Sequence, residues 1–292
     1  MKYLYLLSFS LLLISIPTAN AVVEISDGTV LSYWGLNSTS SDSVGSVHGT
    51  PTGITWATST CVIDECAEFG TKIDFGANYG FVWNASTSWN FWIKDSSQVN
   101  FEVVMGRSTD PLSVSNHGWG LFYGSGKGQY VNMSAGSSGN ALQTQKTMDI
   151  STDGAWHMVT VTKAGEDASD IKWYLDGVEV ATSATTDYDT LSATPSYSTN
   201  LIWGQSGAGS RQFTGALDEV MYVDRVLTQQ EITDLYNGGS GDTVCITENC
   251  GGNAPVLDDP TNLEIGLTIL FGLSILSFVL NEFKTKKELK WT

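Results

Sequence analysis

Short runs of β-branched and aromatic residues alternate with clusters of Gly, Ser, Asn and Asp roughly every ten residues, and helical periodicity is almost absent before residue 228. That pattern predicts an antiparallel β-sandwich. Val30 to Leu36 opens it, with Tyr33 and Trp34 as large apolar anchors. Lys72-Ile73-Asp74-Phe75-Gly76 reads as a turn before a core strand over Ser88 to Lys94, and Phe101 to Gly106 continues the meander. Trp119 to Tyr123 and Gln129 to Met133 form a further hairpin. In the strand over 156–163, His157, Val159 and Val161 share one face and Met158, Thr160 and Thr162 the other. Ile171, Trp173 and Leu175 follow on one face, and Asp176-Gly177 supplies the positive φ of a two-residue hairpin. Leu201 to Gly204 and Ala216 to Val223 complete the strands. Thr228-Gln229-Gln230-Glu231 fits a capping box, opening a short helix with Ile232, Leu235 and Tyr236 as its apolar stripe.

The two ends depart from this pattern. Lys2, the apolar stretch from Leu4 to Ile16, Pro17 and the small residues of Ala19-Asn20-Ala21 predict a signal peptide over residues 1–21. A second apolar run, Ile265 to Leu280, spans about 24 Å as a helix, short of a bilayer core of about 30 Å. Leu263 and Phe283 extend it to a transmembrane helix over 263–283. Lys284, Lys286, Lys287 and Lys290 follow it, which places the tail, 284–292, in the cytoplasm. A cleaved lipid-anchor signal is the rival, but its tail should end apolar rather than charged. Residues 22–237 then form the sandwich and 238–262 a Gly- and Asp-rich stalk. The expected product is a single-pass membrane protein with its N-terminal domain outside, at a cell or virion surface.

Charge narrows the partners. A net charge of −17 opposes a phosphate backbone, so nucleic acid is excluded as a partner class. The four cysteines fall in two Cys-x4-Cys pairs, Cys61/Cys66 and Cys245/Cys250. Three connectivities are open; the short spacings and the oxidising compartment favour two local disulfides. Zinc is the rival, with only His48 near the first pair. Asn37, Asn84 and Asn132 begin glycosylation sequons.

In order along the chain, Trp156-His157, Tyr174-Leu175-Asp176-Gly177 and Gly215-Ala216-Leu217-Asp218-Glu219-Val220 resemble the laminin-G-like branch of the concanavalin A-like lectin/glucanase superfamily. The resemblance covers about Val30 to Asn237. It implies an all-β, two-sheet antiparallel jelly roll with one short C-terminal helix. It also implies an extracellular, non-catalytic recognition or adhesion module for a glycan or a surface protein. A surface glycan hydrolase or lyase with an atypical site, and a structural envelope or coat protein, are the competing readings.

Glucanases of this superfamily carry Glu-x-Asp-x-x-Glu, and retaining hydrolysis needs two carboxyls about 5 Å apart. Around Asp64, Glu65 and Glu68, and around Asp218 and Glu219, that spacing is incomplete. Ser151 to Trp156 only partly matches a sialidase Asp-box. His48, His117 and His157 are the histidines, and His157 holds the family's structural Trp-His position. No Gly-x-Ser-x-Gly elbow is present, and Gly124-Ser125-Gly126-Lys127-Gly128 lacks phosphate-loop spacing. The resemblance implies a Ca2+ between the N-terminal segment and the last core strand, with Asp42 and Asp218 as ligands. Trp119, Tyr123 and Trp203 are candidates for stacking on a sugar face, and equally for a sandwich core.

Overall fold

The alternation resolves into strands in the computed structural model, which describes residues 23–25, 28–79, 84–95, 101–111, 113, 116–123, 128–137, 139–148, 150, 154–181, 188–197, 199–241 and 244–245. In chain order the strands are β1 (Val23–Glu24), β2 (Val30–Trp34), β3 (Thr50–Ala57), β4 (Cys66–Asp74), β5 (Thr87–Asp95), β6 (Glu102–Ser108), β7 (His117–Tyr123) and β8 (Gly128–Ser137). There follow β9 (Asn140–Thr147), β10 (His157–Lys163), β11 (Ile171–Leu175), β12 (Val178–Glu179), β13 (Tyr188–Asp189), β14 (Ile202–Trp203), β15 (Gly215–Val223) and β16 (Val244–Cys245). One helix, α1 (Gln229–Tyr236), follows β15.

A single hydrogen-bonded path runs β12-β11-β10-β5-β15-β4-β14-β6-β7-β8-β9-β13, with β2 and β3 pairing at β15 and β4. The pivot is β4. Its Ala67 and Glu68 pair with β15, and its Ile73 and Asp74 pair with β14, so one strand serves both halves of the curled antiparallel sheet. Between the halves lies the main core. Trp89, Phe91, Val159, Trp173 and Leu217 come from one half, and Met105, Trp119, Leu121, Leu142 and Trp203 from the other. Trp34 organises the aromatic centre, 6.3 Å from Trp89 in a stacked pair and 5.0 Å from Trp203 edge-on. Such rings bury large apolar areas, which is how a Ser- and Gly-rich chain obtains its stability.

Three local expectations hold. Asp176 and Gly177 both have positive φ, 52° and 80°, between β11 and β12, as a primed hairpin turn requires. Glu231 N–H donates to Thr228 Oγ1 at 3.2 Å, and Thr228 N–H donates back to Glu231 at 2.7 Å, closing the capping box. Ile232 and Leu235 are buried. They join Trp92, Met158, Tyr174, Met221 and Val223 in a second apolar cluster. The helix therefore covers one end of the outer face of the β10-β5-β15 sheet.

The edge of the domain differs from expectation. Val244–Cys245, inside the stretch read as stalk, pairs in parallel with Val23–Glu24. Both chain ends of the unit thus meet in a two-residue ladder. The expected signal peptide (1–21), most of the stalk and the expected membrane helix (263–283) lie outside the described residues. Among the described residues, no helix is long and apolar enough to cross a membrane.

Candidate functional site

The outer face of the sheet is divided along β15. Met221 and Val223 lie under α1. Further along, Asp218 pairs in register with Trp92 of β5, and the loop between β3 and β4 folds over it. Val62 and Ile63 N–H donate to Asp218 Oδ2 at 3.0 and 3.1 Å. The disulfide Cys61–Cys66, with Cα atoms 5.5 Å apart, closes that loop. Two residues before Asp218 on the same strand, Ala216 lies buried at the lining of a cavity.

Register builds a site there. Ala216 lies directly across from Lys94 on β5 and from Glu68 on β4, and Glu68 is across from Thr55 on β3. Directly paired antiparallel residues project to the same face, so the four form one row. Around them is a cavity of about 410 Å3, completed by Gly70, Thr214, Gly215 and the edge of Phe69. The floor is small-residue backbone and the walls are polar. Thr55, Glu68 and Thr214 are exposed and Lys94 is half-buried. The side chains of Thr55, Glu68 and Lys94 make no hydrogen bond or ion pair with another described residue. Other surface cations are committed: Lys72 to Asp74, Lys172 to Glu179, Arg211 to Asp110 and Arg225 to Glu231.

A second cavity, about 650 Å3, lies between the Asp176-Gly177 turn and α1. Its amide, its threonine hydroxyl and its carboxylates are already engaged. Gln229 Nε2 donates to Gly177 O at 2.7 Å and to Thr233 Oγ1 at 3.1 Å. Asp176 accepts from Met158 N–H at 2.9 Å and contacts His157 Nδ1 at 2.8 Å. Val178, 68 % exposed, is its apolar rim. Among the described residues, the second cavity leaves only the Tyr236 hydroxyl without a hydrogen-bond partner, whereas the first brings together a carboxylate, an ammonium and a hydroxyl that are uncommitted.

Among the buried acids, which line neither cavity, three bear on metal binding. Asp42 accepts from the N–H groups of Tyr33, Val44, Gly45 and Val47 at 2.9–3.1 Å, and from Ser32 Oγ. Burial pushes Asp218 up to about 7, although Ile63, Val62 and Glu219 amides act the other way. Glu219 sits at a β-bulge, where the register shifts between Asp218 and Met221, with φ 49°. It is 4 % exposed, its Oε2 has no hydrogen-bond partner, and burial pushes it up to about 8. A calcium ion needs the lone pairs that N–H donors occupy at Asp42 and Asp218. Asp42, with five donors, has no acceptor site left for an ion, whereas Asp218, with three, keeps one on Oδ1. Glu219 fits better, since its orphan oxygen is what a hard cation would satisfy. Among the described residues, no group of three or more His, Cys, Asp or Glu is arranged to hold a metal ion.

The other expected residues scatter. Trp119 and Trp203 are 1 % and 0 % exposed in the main core, so their rings fill the sandwich and offer no face to a ligand. Tyr123 ends β7, and its side chain lies outside the described residues. Asn37 Oδ1 accepts from Glu65 N–H at 2.9 Å, tying it to the disulfide loop. Asn84 is exposed at a turn, and Asn132 is in β8. The Cys61–Cys66 disulfide is formed; Cys245 is in β16, and its expected bond to Cys250 falls outside the described residues. Sequence reasoning weighed Glu68 only as a catalytic acid and left out Lys94. The one signal available was a charged residue interrupting each of two otherwise buried strand ends.

The sequence over residues 69–233, more than half of the chain, matches the family model described as the concanavalin A-like lectin/glucanases superfamily. The chain belongs to that superfamily, in its laminin-G-like branch. Curated protein sequences give no significant match. Among solved structures, domain 4 of AbnA, an extracellular GH43 arabinanase of Geobacillus stearothermophilus in complex with arabinotriose, is 20% identical with a TM-score of 0.52. The match covers 70% of this chain and 97% of that domain. The binding domain of Paraclostridial mosquitocidal protein 1 is 14% identical, TM-score 0.54, covering 72% of this chain and 52% of that one. The botulinum neurotoxin serotype D ligand binding domain in complex with N-acetylneuraminic acid is 14% identical, TM-score 0.52, covering 73% and 51%. The chain spans about half the length of the two toxin domains, and all three likenesses establish the superfamily fold alone.

Proposed function

We propose that the chain is an exported, membrane-tethered recognition module that binds carbohydrate without cleaving it, through the groove walled by Thr55, Glu68, Lys94 and Thr214. The observation that carries this reading is the contrast between the two cavities. Only the first surrounds a small-residue floor with a carboxylate, an ammonium and a hydroxyl, those of Glu68, Lys94 and Thr55, that bond to no other described residue. Sugars are recognised by such convergent polar groups on rigid strands. Support also comes from the arabinanase domain, matched over nearly its full length and solved with arabinotriose. A glycan-array screen of the full chain in detergent, with and without calcium, tests the reading. Saturable capture of a glycan family without turnover is expected. Retention of no glycan under either condition, or cleavage of a captured one, contradicts it.

Calcium is proposed as a structural ion on Glu219, in place of Asp42 and Asp218. Its support is the partnerless, buried Oε2 beside Gly35, where an added Cβ would come within 3.5 Å of Oε1. Added calcium should raise the melting temperature of the wild type and leave Glu219→Gln unchanged. An equal rise in both chains contradicts the assignment.

A further inference from the structure

Resting on the carbohydrate reading, we propose that the groove selects a neutral, hydroxyl-rich sugar by opposed charges across Ala216, with no aromatic stacking. Glu68 accepts from ligand hydroxyls, Lys94 donates to a hydroxyl or ring oxygen, and Ala216 is the floor between them.

Register sets the spacing. Lys94 and Glu68 flank Ala216 on the two neighbouring strands. Strands lie about 4.8 Å apart, which puts their Cα atoms roughly 10 Å from each other. A methyl group separates the charges, so the slot between them is open. A cavity of about 410 Å3 is in the range of small-ligand sites, enough for a short oligosaccharide end.

Chemistry then restricts the occupant. The aromatic ring at the lining, Phe69, is part of the main core, so among the described residues the groove has no flat apolar platform on which a sugar ring could stack. Recognition falls to hydrogen bonds, and those with one charged partner are the stronger kind. A sialic or uronic acid would satisfy Lys94 but set its carboxylate against Glu68, on a chain of net charge −17. A cationic ligand would meet Lys94. An uncharged polyol satisfies both walls, because each hydroxyl can donate to one and accept from the other.

The test uses the full chain in detergent and calorimetric titration with arabinotriose, lactose and sialyllactose, at low and at high salt. Binding of a neutral sugar, unchanged by salt, is expected, since no net charge is neutralised. Glu68→Gln and Lys94→Met should each weaken it by about tenfold or more. Ala216→Leu should abolish it by filling the floor, with near-ultraviolet circular dichroism confirming the fold. The two wall variants decide the matter if Ala216→Leu does not fold. Salt-sensitive binding of sialyllactose alone overturns the neutral class but leaves carbohydrate recognition standing. Neutral-sugar binding indifferent to both wall variants overturns the site. Failure of all three sugars, together with an array on which no glycan is retained, overturns the carbohydrate reading itself.

Discussion

The amide of Val62 donates to Asp218 Oδ2 at 3.0 Å although 156 residues separate the two. Through that contact, and a second from Ile63, a carboxylate buried in the last core strand holds down the loop between β3 and β4. The Cys61–Cys66 bond closes the same loop covalently. Ala216, two residues before Asp218 on the same strand, lies at the lining of the groove. The clamp therefore sits beside the proposed binding site and shapes its margin.

Replacing Asp218 with Ala leaves the Val62, Ile63 and Glu219 amides without their acceptor. Unsatisfied buried donors cost about 1–3 kcal/mol each, and Val62 and Ile63 can recover water because they are only half-buried. A net loss on the order of 2–4 kcal/mol is expected by urea denaturation. A loss below about 0.5 kcal/mol, the scale of ordinary surface changes, would show that the clamp contributes nothing.

Cys61→Ser together with Cys66→Ser opens a loop with a sequence separation of 5. For so short a loop, chain entropy assigns the bond about 2 kcal/mol. The double variant should melt several degrees lower, and non-reducing peptide mapping of the wild type should link Cys61 to Cys66. Unchanged melting contradicts the stabilising role.

Acidity tests the two buried acids on β15. Asp218 is pushed up to about 7 and Glu219 to about 8, both by burial, against ordinary values near 4. Between about pH 4 and 8 the native chain thus retains protons that the unfolded chain has released. The stability contributed by these groups is complete below about pH 4 and is lost as pH rises through 7 and then 8. One pKa unit corresponds to about 1.4 kcal/mol, so the loss is on the order of a few kcal/mol for each group. In calcium-free buffer the unfolding free energy should fall over that window, and Glu219→Gln should flatten its upper part. Parallel curves for wild type and variant would refute the assignment to Glu219.

Local chemistry was legible in the sequence, and long-range register was not. Asp176-Gly177 and Thr228 to Glu231 could be read because a hairpin turn and a capping box are each complete within four residues. The aromatic alternation located the core strands, but it could not tell a ring facing a ligand from one facing the core. Trp119 and Trp203 proved to be core. The groove was hidden because it depends on pairing: residues 55, 68, 94 and 216 converge only once β3, β4, β15 and β5 are set in register. Asp218 was legible only as an acid of the last core strand, read as a calcium ligand, while its amide partners lay in a loop with no periodic signal.

Membrane tethering rests on the apolar run Ile265 to Leu280 and the lysines after it. Leu273→Arg adds roughly 2.5–3.5 kcal/mol to insertion, against about 0.3–0.6 for each leucine. The variant should leave the membrane fraction for the medium or be degraded. Its retention after carbonate washing, or loss of residues 265–292 from the mature wild type, contradicts the anchor.

Hydrogen–deuterium exchange of the full chain, with and without its captured glycan, asks directly where the ligand sits. New protection is expected at residues 54–56, 68–70, 93–95 and 214–216, where β3, β4, β5 and β15 frame the groove. The 176–179 turn and α1 should not change. Protection at that turn and helix instead, with none at the groove, would contradict the account.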